Sequence, residues 1–233
     1  MGKVAAINGS PNGAKGSTGK VLAAFLEGMS SEGWDVDVIE VSRLDLRPCT
    51  GQMRCWYRRP GTCHINDDMQ GLYPRLAEAD LLVLATPVYI PLPGMMQTCI
   101  NRLCPLMEPV LQTRDGRTRI RVREHVRMRR LALVSTSGWW EVENFGTVVR
   151  IAEEFALNAG VGFTGAILRP HAFLMEREGK LTDEGAAVAD AVREAGRQAA
   201  TREEVDPQTL EAIARPLTSQ EELRQRYNAL LST

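Results

Sequence analysis

The sequence of 233 residues is 44% hydrophobic and 24% charged, with a formal net charge of −1, which is ordinary for a globular protein. This balance gives no indication of binding to nucleic acid or to an anionic membrane, and no apolar run approaches the roughly 20 residues that span a bilayer. Because the first apolar residues fit a strand better than a signal peptide, we expect a cytoplasmic protein. The length suits one α/β domain, which we place at 1–200, followed by a C-terminal helical extension over 201–233.

Apolar strands and amphipathic helices alternate along the chain, which favours a parallel sheet with helices on both faces. The predicted strands are 3–7, 36–41, 81–85, 131–135 and 163–168. The predicted helices are 17–31, 67–79, 94–106, 145–159 and 182–200, with two short ones between 207 and 231. The strand 81–85 is the most apolar segment, so we expect it in the centre of the sheet. These elements predict a doubly wound, five-stranded flavodoxin-like sheet in the order 2-1-3-4-5.

The turn after the first strand is the first candidate for ligand binding. It is small and glycine-rich, and it carries hydroxyls at Ser10, Ser17 and Thr18 just before a helix, whose N-terminus attracts anions. The Walker pattern nearly fits but fails, because Ala14 replaces the first glycine and Val21 replaces the hydroxyl that would hold magnesium. The turn therefore predicts a metal-free phosphate site for a mononucleotide such as FMN. The alternative is an ordinary turn with a helix cap at Ser17 or Thr18.

Two later loops, 86–94 and 135–140, also follow apolar strands and are rich in glycine, proline, serine or threonine. In a doubly wound sheet, ligands bind outside the carboxyl ends of the strands, where the strand order switches. The first turn and these two loops share that edge in the predicted topology. We therefore expect all three to line one site.

Three groups of residues resemble the NAD(P)H-dependent FMN reductase family of flavodoxin-like proteins. They are Gly9-Ser10-Pro11 with Gly16-Ser17-Thr18, Ala79-Asp80 with Ala85-Thr86-Pro87-Val88-Tyr89, and Asn101-Arg102. The resemblance covers about residues 3–170 and implies bound FMN, with NADPH or NADH as electron donor. It also implies a homodimer or homotetramer that passes electrons to a small acceptor such as a quinone, a nitro or azo compound, or a flavin. No catalytic residue of the protein is expected, because the cofactor carries the hydride chemistry.

The resemblance assigns twelve residues to FMN binding. The phosphate would be held by Ser10, Asn12, Gly16, Ser17 and Thr18. Pro87, Val88 and Tyr89 would lie beside the ring and the ribityl chain, and Thr136, Ser137, Gly138 and Trp139 would border the polar edge of the ring. An aromatic neighbour suits the apolar faces of the ring. The alternatives are a half-buried core position for Tyr89 and an oligomer contact for Trp139.

A cysteine cluster resembles the iron–sulfur flavoprotein branch of the same family. It consists of Cys49, Cys55 and Cys63, and Gln52 occupies the second of the four positions whose cysteines hold a [4Fe-4S] cluster in that branch. Because an amide is a poor ligand for iron, we favour a loop without a cluster or another metal, which closes over the flavin. The alternatives are a cluster with an unusual fourth ligand, and another metal or a redox-active thiol pair. The remaining cysteines, Cys99 and Cys104, lie on a different predicted helix and are not expected to substitute.

Eight arginines lie between residues 114 and 130. One interpretation is a basic rim that attracts the phosphates of NAD(P)H. We favour a solvated hairpin or an excursion between subunits, and without a nucleic-acid motif we expect no binding to nucleic acid. The predicted function is an FMN-dependent NAD(P)H oxidoreductase. The alternatives are a flavodoxin-type or iron–sulfur electron carrier, and a redox sensor that acts through 43–66 and the C-terminal tail.

Overall fold

The computed structural model describes residues 1–230, which form nine strands and eight α-helices. The strands are β1 (Lys3–Asn8), β2 (Asp35–Glu40), β3 (Leu81–Pro87), β4 (Met107–Arg114), β5 (Arg117–Val122), β6 (Arg130–Thr136), β7 (Gly162–Arg169), β8 (Glu176–Arg177) and β9 (Lys180–Leu181). The helices are α1 (Ser17–Ser31), α2 (Arg54–Tyr57), α3 (Met69–Ala77), α4 (Gly94–Asn101), α5 (Gly146–Ala159), α6 (Asp183–Thr201), α7 (Pro207–Ala214) and α8 (Gln220–Ala229).

The central sheet is parallel and has the strand order β2-β1-β3-β6-β7. Because β4 and β5 form a separate hairpin, the five strands of this sheet follow the predicted order 2-1-3-4-5. The predicted flavodoxin-like fold is thus confirmed. The apolar strand β3 is central and buried on both faces, whereas the alternating strand β2 lies at an edge, as predicted.

Alternate side chains of the strands enter two hydrophobic cores. Ala5 and Ile7 of β1 pack in the core beneath α3, α4 and α5, while Val4 and Ala6 pack in the core beneath α1 and α6. This alternation follows from the two-residue period of a strand. Helices α1 and α6 approach very closely, since a Cβ atom at Gly28 would lie 2.0 Å from a backbone oxygen of α6.

Two predicted segments end differently in the structure. The predicted helix 94–106 ends at Asn101 and is followed by a short 3-10 helix, Cys104–Leu106, because Pro105 cannot continue an α-helix. The arginine-rich stretch forms the hairpin β4–β5, whose first strand begins at Met107. Arg117 and Arg119 both pair with Glu154 of α5, so these charges have partners within the chain, which favours the hairpin interpretation.

The C-terminal segment packs against the end of the sheet. Helices α7 and α8 agree with the two short helices predicted between 207 and 231, although residue 231 lies outside the described residues. Arg169, fully buried at the end of β7, donates hydrogen bonds to the carbonyl oxygens of Ile213 (2.6 Å) and Arg215 (2.8 Å). Among residues 1–230, no helix has both the length and the apolar character needed to cross a membrane.

Candidate cofactor site

The turn after β1 folds around Ser10. The backbone N–H of Ser10 donates to Asn8 Oδ1 (3.1 Å), the hydroxyl of Ser10 accepts from the N–H of Asn12 (3.3 Å), and its carbonyl accepts from the N–H of Gly13 (2.9 Å). Gly13 has a φ of +53°, a left-handed conformation that favours glycine. These local bonds hold the turn over the carboxyl end of the sheet.

Helix α1 begins at the end of this turn without a side-chain cap. Gly16 is the N-cap residue, and a Cβ atom there would lie 2.7 Å from the Ser10 hydroxyl oxygen. The first N–H groups of a helix have no intrahelical acceptor, so this end of α1 provides donors and a positive dipole for an anion. Ser17 and Thr18 place two hydroxyls in the same turn.

Hydrogen bonds join the three predicted loops into one structure. The hydroxyls of Thr18 and Thr136 are 2.7 Å apart and buried, which links the first turn to the end of β6. The carbonyl of Thr136 accepts from the N–H of Val88 (2.9 Å), which links β6 to the loop after β3. The N–H of Ser137 donates to the carbonyl of Arg169 (3.1 Å), which links the same loop to the end of β7.

The loops line an open cavity of about 180 Å³ at the carboxyl edge of the sheet. Its lining residues are Ser10, Asn12, Gly16, Ser17, Thr18, Pro87, Val88, Tyr89, Thr136, Ser137, Gly138, Ala172 and Phe173. The lining thus includes every residue assigned to FMN from the sequence except Trp139. A second depression of about 360 Å³ shares Ser10 and Tyr89 with this cavity, so a ligand longer than the first cavity has room to extend.

The two aromatic residues assigned to the flavin have different positions. Tyr89 lines the cavity with 53% of its surface exposed, so it is not a half-buried core residue. Trp139 is 55% exposed and lies beside the cavity, with its ring 5.5 Å from that of Tyr227 in α8. Trp139 therefore contacts the C-terminal extension, and its contact with the flavin ring stays a prediction.

A fourth loop, which follows β7, also lines the cavity but was not predicted to do so. It contributes Ala172 and Phe173. The position of the fifth strand beside the fourth was a usable signal, because the loop after it must lie at the same edge of a parallel sheet. His171 in this loop is fully buried and accepts a hydrogen bond from the N–H of Leu217 through Nε2 (3.0 Å). Burial, with a smaller effect of the Arg169 charge, lowers the pKa of His171 to about 4, so this side chain is neutral near pH 7.

The C-terminal extension forms an outer wall behind the loop after β6. The Tyr227 hydroxyl donates to the carbonyl of Gly138 (3.3 Å), and the Tyr227 ring lies edge-on to Phe173 with centroids 6.0 Å apart. The indole N–H of Trp140 donates to the carbonyl of Thr218 (2.9 Å). These contacts connect residues near the end of the chain to two loops of the cavity.

The segment between β2 and α3 contains the cysteine cluster and is held by a buried ion pair. Arg102 donates to both carboxylate oxygens of Asp67 (2.7 and 2.9 Å) and to the carbonyl of Arg47 (2.7 Å). Burial by itself raises the pKa of Asp67, but the hydrogen bonds from Arg102 and from the Arg47 N–H outweigh it, so the pKa lies below its usual value. Arg102, which the family resemblance included, thus has a structural position under this segment.

All five cysteines are free thiols. Within residues 1–230, no group of three or more His, Cys, Asp or Glu side chains is placed to hold a single metal ion. The prediction that Cys99 and Cys104 lie on the same helix is wrong for Cys104, because α4 contains Cys99 but ends at Asn101. The chain turns at Cys104, and its carbonyl oxygen accepts a hydrogen bond from the indole N–H of Trp56 (2.9 Å), which lies next to Cys55.

Comparison with known proteins decides the family. The profile of the NADPH-dependent FMN reductase family matches residues 2–142. The chain belongs to the NADPH-dependent FMN reductase family. The family predicted from the sequence is thus confirmed. The family name describes an NAD(P)H-dependent FMN oxidoreductase with FMN as its cofactor.

One relative and two solved structures illustrate the similarity. An iron–sulfur flavoprotein from Archaeoglobus fulgidus is 34% identical over 116 residues, which are 49% of this chain and 51% of that protein. The chain thus spans about half the length of the curated relatives it matches. An NAD(P)H:quinone oxidoreductase from Methanothermobacter marburgensis has a TM-score of 0.57 at 18% identity, covering 85% of this chain and 97% of that one. An FMN-dependent NADH-azoreductase from Bacillus anthracis, solved in complex with FMN, has a TM-score of 0.54 at 12% identity, covering 85% and 98%. These structures show a shared fold.

The residues around the cavity fit an FMN molecule. A terminal phosphate needs hydroxyls and backbone N–H groups, which Ser10, Ser17 and the N-terminus of α1 provide. The side-chain-free Gly16 leaves the backbone accessible to a ligand. The aromatic side chains of Tyr89 and Phe173 provide apolar contact for a planar ring.

Proposed function

We propose that this protein is an FMN-dependent NAD(P)H oxidoreductase that transfers electrons to a small acceptor. The observation that carries the proposal is the cavity in which the three loops after β1, β3 and β6 meet at the N-terminus of α1. Family membership supports the same activity. When bound, FMN supplies the chemistry, taking a hydride from NADPH or NADH and passing two electrons to the acceptor.

Each loop has a separate task in this proposal. The turn with Ser10, Asn12, Gly16, Ser17 and Thr18, which lines the cavity, would hold the phosphate of FMN. Pro87 and Val88 pass beside the ring. The loop with Thr136, Ser137 and Gly138, which also lines the cavity, would provide backbone and hydroxyl groups for the polar edge of the ring. Trp139 supports this loop from outside the cavity lining, through the contact of its ring with that of Tyr227.

The open side of the cavity is the place for the donor and the acceptor in turn. Tyr89 is half exposed there, which leaves room for a planar molecule against its ring. Similar folds are found in proteins named for quinone and for azo reduction, so a quinone or an azo compound is the acceptor to test first. Because donor and acceptor share one face, we expect ping-pong kinetics.

Absorbance spectroscopy tests the proposal. The apo protein should bind FMN, and the yellow holoprotein should bleach under argon when NADPH or NADH is added. Thr18→Val removes the hydroxyl that contacts Thr136 and lies in the phosphate turn, and it should weaken FMN binding by about tenfold, the effect of losing a hydrogen bond to a charged group. Lys20→Met, outside the cavity lining on the same helix, is the control. Failure to bind FMN would reject the site, and binding without bleaching by either nucleotide would favour an electron carrier.

We also propose that the protein is a cytoplasmic homodimer or homotetramer. The hairpin β4–β5 exposes Val110 and Leu111, at 42% and 68% of their surfaces, which supports a contact between subunits. Sedimentation equilibrium tests this assembly, and a monomer at micromolar concentration would contradict it.

A further inference from the structure

A further cavity adjoins the phosphate turn. We call it the α1–α6 cavity, because it lies between helices α1 and α6, and the loop after β7 and the hairpin β8–β9 complete its lining. Its volume is about 140 Å³. Ser17, Ala172 and Phe173 line both this cavity and the cofactor cavity. The two cavities therefore meet beside the turn that is proposed to hold the phosphate of FMN.

The packing of the two helices explains where this cavity lies. A Cβ atom at Gly196 of α6 would lie 2.0 Å from the backbone oxygen of Phe25 in α1, so the helices almost touch there. The cavity lies N-terminal to this contact in both helices, beside Val21 of α1 and Ala189 of α6. The short side chain of Ala189 leaves open a space that a longer side chain would fill.

One face of α1 leads from the phosphate turn into the cavity. Ser17, Val21 and Ala24 all line the cavity, and their spacing of four and three residues places them on the same face of the helix. The seven residues from Ser17 to Ala24 span roughly 10 Å along the helix axis. A group attached to a phosphate at Ser17 would therefore lie along this face as it enters the cavity.

The walls of the cavity are mainly apolar. Val21, Met175 and Val192 are buried, whereas Phe173 and Leu181 have 44% and 47% of their surfaces exposed. An apolar cavity of about 150 Å³ can hold a benzene ring. The α1–α6 cavity is thus large enough for one ring of a flat base, and its open side admits a second ring. The exposed ring of Phe173 provides a surface on which a base can stack.

The charged side chains at the mouth of the cavity form two ion pairs. Lys20 Nζ lies 2.5 Å from Glu176 Oε2, and Arg193 Nε donates to Glu27 Oε2 (2.8 Å). Because each cation has a carboxylate partner, the mouth attracts an anion less than the N-terminus of α1 does. The cavity therefore suits an uncharged base, and the two carboxylates can accept a hydrogen bond from an amino group of that base.

We propose that the α1–α6 cavity binds the adenine of FAD. FAD is FMN whose phosphate is joined to adenosine 5′-monophosphate, so its adenosine half begins where the phosphate of FMN would be held. The N-terminus of α1 would bind the phosphates, and the apolar walls would bind the base. The inference rests on the proposed FMN site and adds a second flavin that this site accepts.

Isothermal titration calorimetry of the apo protein with FMN and with FAD tests the inference. A stacked base strengthens binding by about 5-fold to 150-fold, so FAD should bind the wild-type protein at least about fivefold more tightly than FMN. Ala23→Trp puts a large side chain at an exposed position of the cavity lining. In this variant the affinities for FAD and FMN should agree within about twofold. Ala187→Trp is the matched control, because Ala187 is an exposed alanine of α6 outside the cavity lining, and it should keep the wild-type ratio.

A second variant changes a different wall of the cavity. Leu181→Asp places a carboxylate beside the bound base and should also lower the ratio of the FAD and FMN affinities. Circular dichroism reports on the folding of every variant, and Leu181→Asp decides the test if Ala23→Trp does not fold.

The outcomes separate this inference from the proposed function. If neither flavin binds, the cofactor site itself is rejected, and the inference falls with it. If FMN binds and is bleached by NADPH or NADH, but the wild-type protein has no preference for FAD, only the inference is overturned. Because NADPH also contains adenosine, a preference for FAD that persists in Ala23→Trp, together with a raised KM for NADPH, would assign the cavity to the electron donor and overturn the inference.

Discussion

Replacing Gly138 with alanine should displace the loop after β6, because the new methyl group would collide with one atom of helix α8. A Cβ atom at this position would lie 2.5 Å from the hydroxyl oxygen of Tyr227. The next nearest atom, Cζ of the same tyrosine, would be 3.7 Å away, which is an ordinary contact. The added methyl group thus conflicts with the hydroxyl alone, and its direction towards α8 keeps it from narrowing the cofactor cavity.

The magnitudes of the single and double substitutions differ clearly. Forcing an extra methyl group into a packed contact costs about 1–3 kcal/mol, and if all of it falls on the holoprotein, FMN binding weakens by roughly 5-fold to 150-fold. Tyr227→Phe removes the 3.3 Å hydrogen bond to Gly138, for which about 0.5–1.5 kcal/mol is typical. In the double variant the conflicting oxygen is absent. The double variant should therefore resemble Tyr227→Phe, with a coupling energy of about 1–3 kcal/mol between the two sites.

The measurement is a double-mutant cycle on FMN affinity, followed by quenching of flavin fluorescence on addition of apo protein. Urea unfolding of the same four proteins shows how much of each change is global stability. Gly146→Ala is the control, because a Cβ atom there has no neighbour within 4 Å. Additive effects, or a double variant weaker than Gly138→Ala alone, would refute the role of the Tyr227 hydroxyl in positioning this loop.

Three further predictions concern stability. Arg102→Met leaves the buried Asp67 carboxylate unpaired and should lower the free energy of unfolding by about 3–5 kcal/mol in urea. Arg75→Met, which breaks a partly exposed pair, should cost less than about 1 kcal/mol, and equal losses would contradict this explanation. Folding lowers the pKa of His171 from 6.5 to about 4, because the buried side chain is kept neutral. Its contribution to the free energy of unfolding is therefore complete above pH 6.5 and is lost as the pH falls towards 4. This loss of stability is at most about 3 kcal/mol. His171→Asn should abolish it in urea unfolding measured across that pH range, and asparagine tolerates the positive φ at this position. If the free energy of unfolding of this variant has the same pH dependence as that of the wild-type protein, the loss belongs to other groups. Gly28→Ala should lower the melting temperature, since its Cβ atom would overlap a backbone oxygen of α6; an unchanged melting temperature would show that these helices are not so closely packed.

The features that local patterns determine could be predicted from the sequence. The apolar run of β3 correctly indicates a central strand, because a strand buried on both faces has apolar side chains at successive positions. The alternation of β2 correctly indicates an edge strand, because a strand buried on one face has apolar side chains only at alternate positions. The topology of the sheet also predicts that the loops after β1, β3 and β6 line one site, since a parallel sheet places all carboxyl ends of its strands on one edge.

The features that distant contacts determine could not be predicted in this way. Trp139 follows the predicted strand and has the right chemistry for a flavin, but no local pattern indicates that its ring lies 5.5 Å from that of Tyr227, 88 residues later in the chain. The predicted helix 94–106 includes Cys104, whereas the structure ends the helix at Asn101, and Pro105 is the signal in the sequence that it must end. The hydrogen bond from the Trp56 indole N–H to the carbonyl of Cys104 joins two segments that no local pattern connects.

The two kinds of contact that hold the C-terminal segment lead to different expectations for its variants. Arg169 and His171 bind backbone atoms of this segment, namely two carbonyl oxygens and one N–H, and these atoms do not depend on side-chain identity. Tyr227 touches Gly138 and Trp139 through its side chain. Attachment of the segment should therefore survive most substitutions within it, whereas substitutions at Tyr227 should move the loop at the polar edge of the cavity. In that respect the side chain of Tyr227 adjusts the cofactor site, while the buried side chains of Arg169 and His171 keep the C-terminal segment in place.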